Sequence, residues 1–330
     1  MKAQVIHEHG GPDGFRTEEV ARPKAGSGQV LVRNLATSVN PIDVKIRSGA
    51  VKGVLGEHFP LVLHSDVAGV VEEVGEGVEG FSPGDEVVAY VATGGALADY
   101  VAVDASLLAP KPSTLSFAEA AALPLVGITA WEALVDRAKV LPDQQVLIHA
   151  ATGGVGHIAI QLAKAFDAHV SATGSSEEKL AVARRLGADE GINYRVESVE
   201  DYVNRLTDGN GFDVVFDTVG GENLDRSFQA AKPQGTVAAI AARSTHDLSP
   251  LHGKALTLHV IFILLTQRTA AGRSHHGQIM REIVRLVEEG KLTPLLDEHR
   301  FRFEEVGEAH RRLESGQALG KVVLENERMV

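Results

Sequence analysis

Residues 149–164 read HAATGGVGHIAIQLAK. The apolar run VLIHA enters this stretch, residues with helical spacing leave it, and Gly153, Gly154 and Gly156 stand at the joint. A strand, a glycine turn and a helix in that order make an anion site. The N–H groups of the first helical turn converge on one point, and the helix dipole adds positive potential there. Glycine permits the tight turn and lets a phosphate come close to the backbone. The dinucleotide fingerprint G-x-G-x-x-G falls on Ala151, Gly153 and Gly156, with alanine in the first place. Thr152, Gly153, Gly154, Val155 and Gly156 are therefore candidates to cradle a pyrophosphate. The plainer alternative is a glycine-rich turn that holds nothing.

The residues further on bear on which dinucleotide. NAD sites carry an Asp or Glu about 20 residues after the glycines, where it holds the ribose 2′-hydroxyl. Here that position is Gly174, followed by Ser175, Ser176 and Lys179. Without the acid, a 2′-phosphate carrying about −1.5 to −2 charge meets no repulsion, and the hydroxyls and the ammonium supply donors. The expected cofactor is NADP(H). Glu177 and Glu178 are a mild counter-signal, which first-turn helix positions would turn outward. Lys179 could equally be a solvated helix residue.

The elements around this joint read as an α/β protein. Residues 1–120 are rich in Val and Gly, and their short β-rich runs broken by Gly and Pro predict a barrel or sandwich. AAALPLVGITAWEALVDRA then reads as helix, after which strand and helix signals alternate: QVLIHAA, GHIAIQLAKAF, HVSATG, SEEKLAVARRLG, FDVVFDTVG, NLDRSFQAA, GTVAAIAA. Such alternation predicts parallel βαβ units with right-handed crossovers. ALTLHVIFILL, at 255–265, reads as one more buried strand. The tail holds an amphipathic helix, SHHGQIMREIVRLVEEG, and a last strand, GKVVLE, and should pack back on the first domain.

Composition narrows the function. With 330 residues, two domains are expected. A net charge of −12 argues against a nucleic-acid partner. The absence of cysteine excludes disulfides, thiolate metal sites and a cysteine nucleophile, and it fits a cytoplasmic protein. MKAQVIHEHGGPDGF lacks the apolar core of a signal peptide, and the run at 255–265 is shorter than the roughly 20 residues a membrane span needs. No membrane association is expected.

Seven segments in order carry a resemblance: SVNPIDVKIRSG (38–49), FPLVLHSDVAGVVEEVGEGVEGFSPGDEV (59–87), LPLVGITAWEAL (123–134), AATGGVGHIAIQLAK (150–164), LGADEGINYR (186–195), FDVVFDTVGG (212–221) and GKVVL (320–324). Nearly along its whole length the chain resembles the medium-chain dehydrogenase/reductase superfamily, in the zinc-free NADPH:quinone oxidoreductase branch. The resemblance implies a GroES-like catalytic domain at 1–122 completed by 270–330, a Rossmann cofactor domain with a doubly wound parallel sheet at 123–269, and an active-site cleft between them. It also implies a homodimer paired across the last Rossmann strand.

In zinc-bearing relatives a Cys and a His of the first domain hold the catalytic metal. Their positions match Asn40 and Ser65, and the four-cysteine lobe is missing, so no metal is expected. His58 and His64 lie off the ligand positions, and His275 and His276 are expected to open an exposed helix. Without zinc no Lewis acid polarises an alcohol. The chemistry left is hydride delivery to an acceptor that is already electron-poor, a quinone or an α,β-unsaturated carbonyl. By resemblance Asn40 and Thr129 lie near the nicotinamide and position it, Ile240, Ala241 and Phe262 flank its carboxamide, Tyr194 touches the adenosine end, Val219 and Gly220 border the cofactor, and Lys321 reaches the pyrophosphate. Asp43 and Asp66 are expected to be supporting acids, with solvent as the proton source. Two alternatives stand: an enoyl-thioester or alkene reductase of the same superfamily, and a nucleotide-binding protein with little turnover.

Overall fold

Val-rich alternation and frequent turns produce eight short strands among the described residues of the first third of the chain. They are β1 (Lys2–Ile6), β2 (Arg16–Glu19), β3 (Gln29–Ser38), β4 (Leu61–Val62), β5 (Asp66–Val74), β6 (Glu86–Tyr90), β7 (Tyr100–Asp104) and β8 (Ala109–Pro110), with helix α1 (Pro41–Ser48) after β3. The computed structural model describes residues 1–51 and 58–329. The stretch expected to be one helix near 120–138 is instead α2 (Phe117–Ala121), α3 (Pro124–Trp131) and a π-helical turn over Glu132–Arg137. Pro124 cannot continue α2 and takes the first position of α3, where its missing N–H costs nothing.

The middle of the chain alternates strand and helix: β9 (Gln145–Ile148), α4 (Gly156–Ala165), β10 (His169–Gly174), α5 (Glu177–Arg185), β11 (Glu190–Asn193), α6 (Val199–Thr207), β12 (Phe212–Asp217), α7 (Glu222–Ala230), β13 (Ala231–Ala239), α8 (Ser249–Gly253) and β14 (Thr257–Val260). The tail adds α9 (Ile263–Thr266), α10 (Ala270–Glu288), β15 (Leu296–Arg302), α11 (Val306–Glu314) and β16 (Lys321–Glu325).

Two compact units result, one of residues 1–125, 264–290 and 294–330, the other of 126–263 and 291–293. In the first, a sheet runs β15-β16-β3-β5-β6-β8, with β7 also paired to β3, beside a small sheet β2-β1-β4. Its core is aliphatic, with Val30, Val32, Val67, Val87 and Val103 inside. Tail residues Phe303, Val306, Val322 and Leu324 pack with Ile6, Val39 and Leu63. β16 runs antiparallel to β3, with Val323 opposite Ser38 and Leu324 opposite Thr37.

In the second unit six strands run in the order β11-β10-β9-β12-β13-β14, and every pairing is parallel. β9, β10 and β12 are buried on both faces, as a sheet covered on both sides requires. The chain moves outward from β9 through β10 to β11, then returns to place β12 on the other side of β9. That reversal opens a ligand crevice at the carboxyl ends of the strands.

Two expectations are corrected here. The run at 255–265 is not one buried strand: only Thr257–Val260 is strand, and it is the sheet edge. Val260 is 59% exposed and Phe262 41%. An apolar run alone does not distinguish strand from helix, and here it changes to helix at Ile263. His276 is not solvated. It is fully buried, and its Nδ1 lies 3.1 Å from Gln267 Nε2. It shares the inner face of α10 with Gly272, Ile279, Met280 and Ile283, and a Cβ on the neighbouring Gly277 would stand 1.9 Å from the Ser106 carbonyl oxygen. His275, one residue away, is half-buried.

Candidate functional site

The glycine joint follows β9. Ala150 adopts a left-handed φ of 51°, and Ala151 donates its N–H to the Thr173 carbonyl at 3.0 Å on β10. The chain then turns through Thr152–Val155 into α4, whose N-cap, Val155, offers no side-chain acceptor. The first-turn N–H groups thus keep the anion-binding capacity of a helix start. The glycines differ in purpose. A Cβ on Gly156 would lie 2.2 Å from the Ala150 carbonyl oxygen, so this glycine lets α4 pack against the strand exit; on Gly153 the same contact would be 3.2 Å.

The neighbouring strand ends line up with the joint. Gly174 pairs with Asn193 across β10 and β11, and the Tyr194 N–H reaches the Gly174 carbonyl at 3.3 Å. Ser175 and Ser176 on one connection, with Lys179 in the first turn of the helix that follows, therefore stand after the strand that neighbours the one leading into Tyr194. Ser176 caps α5, its Oγ accepting from the Lys179 N–H at 3.4 Å. Glu178 is held in its charged form by a hydrogen bond with Ser176, which lowers its pKa. Gly174 also has a packing reason: a Cβ there would come within 2.8 Å of Leu180. Sequence reasoning missed Arg195. It is exposed beside Tyr194, and neither it nor Lys179 has an ion-pair partner among the described residues. Its signal was the end of the INYR segment already quoted.

At the other strand ends, Asp217 Oδ1 accepts from the N–H groups of Val219 and Gly220 at 2.8 Å each, while its Oδ2 accepts from Ser227 Oγ at 3.0 Å. This fully buried carboxylate shapes the turn after β12. Gly220 has φ of 76°, and a Cβ there would fall 2.1 Å from the Ala241 carbonyl oxygen. Val219, Ile240 and Ala241 are thus brought together, and Phe262 stands two residues past β14. His149, also missed, closes the end of β9. Its N–H bonds the Phe216 carbonyl at 3.0 Å, its ring approaches Thr173 Oγ1 at 3.3 Å, and Thr218 Oγ1 donates to its carbonyl at 2.7 Å. Burial lowers the His149 pKa to about 4, with Asp217 pulling the other way, so the ring is neutral at pH 7. Thr129 lies buried on α3 in this same unit.

The first unit holds a different constellation. Asn40, 1% exposed, begins α1. Its Nδ2 donates to Asp66 Oδ2 at 2.7 Å, and its backbone N–H donates to Asp43 at 2.8 Å. Its Oδ1 accepts a short hydrogen bond from Lys321 Nζ. The Lys321 ammonium also donates to the Val39 carbonyl at 3.2 Å and lies 3.6 Å from Asp66 Oδ2. Asp66 further accepts from Ser38 Oγ at 2.5 Å and from the Leu125 N–H at 2.8 Å. Burial lowers the pKa of Lys321, while Asp66 and Asp43 raise it. Burial raises the Asp43 carboxyl to about 7, the Asn40 N–H opposing it and Asp66 adding to it. Lys321, which the resemblance placed at a pyrophosphate, is 2% exposed, and its ammonium is turned toward Val39 and Asn40. The cause is register, since β16 continued two residues past Val323–Ser38 puts Lys321 opposite Asn40.

His64 is also buried, its Nε2 2.9 Å from His310 Nε2. Burial holds His64 well below the usual histidine pKa, His310 and Lys321 adding to this. Burial holds His310 at about 3, with Arg47 adding to the effect. Among the described residues, no group of three or more His, Cys, Asp or Glu side chains could hold a metal, and no helix is long and apolar enough to cross a membrane.

A strand-order reversal, a glycine joint at the end of β9, and two cations after neighbouring strands with no ion-pair partner among the described residues define a dinucleotide-binding unit joined to a β-rich one. Comparison with known proteins carries the assignment further. An alcohol dehydrogenase GroES-like domain model matches residues 26–113, and a zinc-binding dehydrogenase model matches 186–324. A 2-haloacrylate reductase from Burkholderia sp is 39% identical over 74% of each chain. The chloroplastic NADPH-dependent alkenal/one oxidoreductase of Arabidopsis thaliana is 35% identical over 98% of this chain and 79% of its own. The structure of Escherichia coli quinone oxidoreductase complexed with NADPH superposes with a TM-score of 0.89 at 30% identity, over 98% of this chain and all of the other. The chain belongs to the medium-chain dehydrogenase/reductase superfamily, in its zinc-free quinone oxidoreductase branch.

Proposed function

We propose that this protein is a zinc-independent, NADPH-dependent reductase that delivers hydride to a quinone or an α,β-unsaturated carbonyl. The carrying observation is the row of strand ends in the second unit, where the glycine joint and the unpaired Lys179 and Arg195 fit a dinucleotide bearing a 2′-phosphate. The joint has no side-chain cap on the N–H groups that start α4, and at Gly153 no side chain stands between the backbone and a ligand. The relatives named above are called after alkenals and alkenones, haloacrylate and quinones, which share an electron-poor carbon conjugated to a carbonyl or carboxylate.

Thr152–Gly156 would hold the pyrophosphate, and Ser175, Lys179 and Arg195 the 2′-phosphate, with Tyr194 against the adenosine end. Asp217 fixes the Val219–Gly220 turn, which with Ile240, Ala241 and Phe262 borders the nicotinamide. When bound, NADPH supplies the hydride. The protein supplies position and hydrogen bonds: Asn40 and Thr129 orient neutral groups, and solvent provides the proton that completes the reduced product. The test is NADPH oxidation with 1,4-benzoquinone and with an enone, against crotonyl-CoA and a no-acceptor control. Turnover with the first two supports the reading. Turnover with crotonyl-CoA alone replaces it with an enoyl-thioester reductase, and NADPH binding without turnover replaces it with a nucleotide-binding role.

The same reading includes a homodimer formed across β14. That strand ends the sheet and leaves Val260 and Phe262 exposed, and an exposed apolar edge invites a second copy to extend the ladder. Sedimentation should give the mass of two chains, and Val260→Lys should shift it toward one. A cytoplasmic location also belongs to this reading, supported by the cysteine-free composition.

A further inference from the structure

The amide of Asn40 is held at both ends, by the Lys321 ammonium group on its oxygen and the Asp66 carboxyl on its nitrogen. That is more than capping a helix requires, since an N-cap needs only one acceptor. The three side chains come from separate elements: the β3–α1 junction, β5 and β16. All three are almost wholly buried, Asn40 at 1%, Asp66 at 0% and Lys321 at 2% exposure. A buried ammonium and carboxylate are costly to desolvate, and each here is matched by several hydrogen bonds. The carboxamide nitrogen carries two hydrogens. One goes to Asp66, and the other has no acceptor among the described residues.

We propose that Lys321 and Asp66 are positioning residues that orient and polarise the Asn40 carboxamide, making its remaining N–H the donor to the acceptor oxygen that gains negative charge as hydride is taken up. This rests on the reading of the protein as a quinone or enone reductase with Asn40 at the reacting groups. Its chemistry is that of a chained hydrogen bond. An ammonium on an amide oxygen withdraws electron density through the C–N bond and strengthens the opposite N–H as a donor, and such polarisation is cooperative in a low-dielectric site. Asp66 removes the rotational freedom of the amide and decides which face nitrogen takes. A preorganised donor aimed at developing charge contributes to the transition state more than to binding. The substrate carbonyl carbon or its vinylogue accepts the electron pair of the hydride, the oxygen becomes an oxyanion, and a solvent proton neutralises it.

The charged and titratable groups around the cluster are Asp43 from α1, Tyr90 from β6, and His64, which precedes β5. Asp43 reports on Lys321, because the ammonium lowers its pKa. The Tyr90 hydroxyl is buried without a hydrogen-bond partner among the described residues, and burial raises its pKa well above the usual tyrosine value, so it stays neutral over the range of the test.

The experiment uses the full-length protein with four changes: Lys321→Met, Lys321→Arg, Asp66→Asn, and Lys321→Met combined with Asp66→Asn. The double variant removes both charges, so no carboxylate is stranded if Lys321→Met alone folds poorly. Measured are kcat and KM with 1,4-benzoquinone, the NADPH Kd by fluorescence, and the titration of the Asp43 carboxyl by carbon-13 NMR in the protein without cofactor. Expected are a kcat about ten- to a hundredfold lower for Lys321→Met and for the double variant, KM and NADPH Kd within about threefold, and partial recovery in Lys321→Arg. The Asp43 midpoint should rise in Lys321→Met and fall back in Lys321→Arg. A folded Lys321→Met or double variant with unchanged kcat overturns the proposal. So does an NADPH Kd more than tenfold weaker at unchanged kcat, which would return Lys321 to the pyrophosphate. A wild type that reduces neither a quinone nor an enone overturns the functional reading itself, a result separate from any variant effect.

Discussion

The two units treat positive charge in opposite ways. In the dinucleotide unit Lys179, in the first turn of α5, and Arg195, just past β11, have no counter-ion among the described residues. In the β-rich unit Lys321 is sealed from solvent and held by Asn40, Val39 and Asp66. The first arrangement waits for a charge that comes and goes with a ligand. The second is complete without one, and its role is to hold a neighbouring group still. A lysine at a site is therefore read by what already satisfies it. Open cations select an anion, while a satisfied one acts through whatever it grips.

That contrast breaks most sharply at the glycine joint. Gly156→Ala puts a Cβ 2.2 Å from the Ala150 carbonyl, forcing α4 off the strand exit. NADPH affinity should fall by more than about a hundredfold, with a thermal midpoint lower by several degrees, since overpacking costs about 1–3 kcal/mol or more. Gly153→Val should spare stability better yet also block the cofactor, because its side chain would occupy the pyrophosphate space. Normal NADPH binding by Gly153→Val in calorimetry would remove the joint from the site.

The next effect tests the open cations. Lys179→Ala loses one charge-assisted contact, worth about 1.5–3 kcal/mol. NADPH should bind about tenfold or more weakly while NADH barely changes, and Arg195→Ala should act in the same direction. Equal wild-type affinity for the two cofactors would defeat the assignment of the 2′-phosphate subsite.

Acid separates the units by stability. Buried His64 and His310 in one unit and His149 in the other have pKa values below the unfolded value of 6.5. The unfolded chain then binds more protons than the native one, so stability is lost as pH falls below about 6.5 toward about 3 to 4. Asp43, raised to about 7, acts with opposite sign, its contribution being lost as pH rises through that value. Two histidines outweigh one carboxyl in the β-rich unit. Hydrogen exchange between pH 7 and 5 should show its amides loosening, and His64→Gln with His310→Gln should flatten that slope. An unchanged slope in the double variant would rule the pair out as the acid-sensitive element.

The smallest effect belongs to Thr129. Its hydroxyl orients a neutral group in the proposed mechanism, so Thr129→Val should reduce kcat only a few-fold to about tenfold, in keeping with roughly 0.5–1.5 kcal/mol. Complete loss of turnover with NADPH still bound would give Thr129 a direct chemical part.

Much of the dinucleotide unit was legible because its signals are local. HVSATG is strand over its whole length, and GHIAIQLAKA is helix, since periodicity and glycine punctuation lie within a dozen residues of what they specify. What was not legible depends on distant partners. Lys321 faces Asn40 because β16 pairs with β3 across the length of the chain, and no local pattern carries that register. His276 is buried because α10 turns that face inward, though its neighbours in sequence include Arg273 and His275. Arg195 became visible only when β11 was seen beside β10.

The antiparallel join of β16 to β3 has a consequence for biosynthesis. The ribosome must add Lys321 before the sheet that begins near Gln29 can close, whereas the strands of the dinucleotide unit emerge almost without interruption between 145 and 260. Domains tend to fold as they are made, and long-range pairings form slowly. The nascent chain should therefore complete its nucleotide-binding unit first and carry an open-edged β-rich unit until β16 has left the exit tunnel, so that the Asn40 clamp forms after the nucleotide-binding unit.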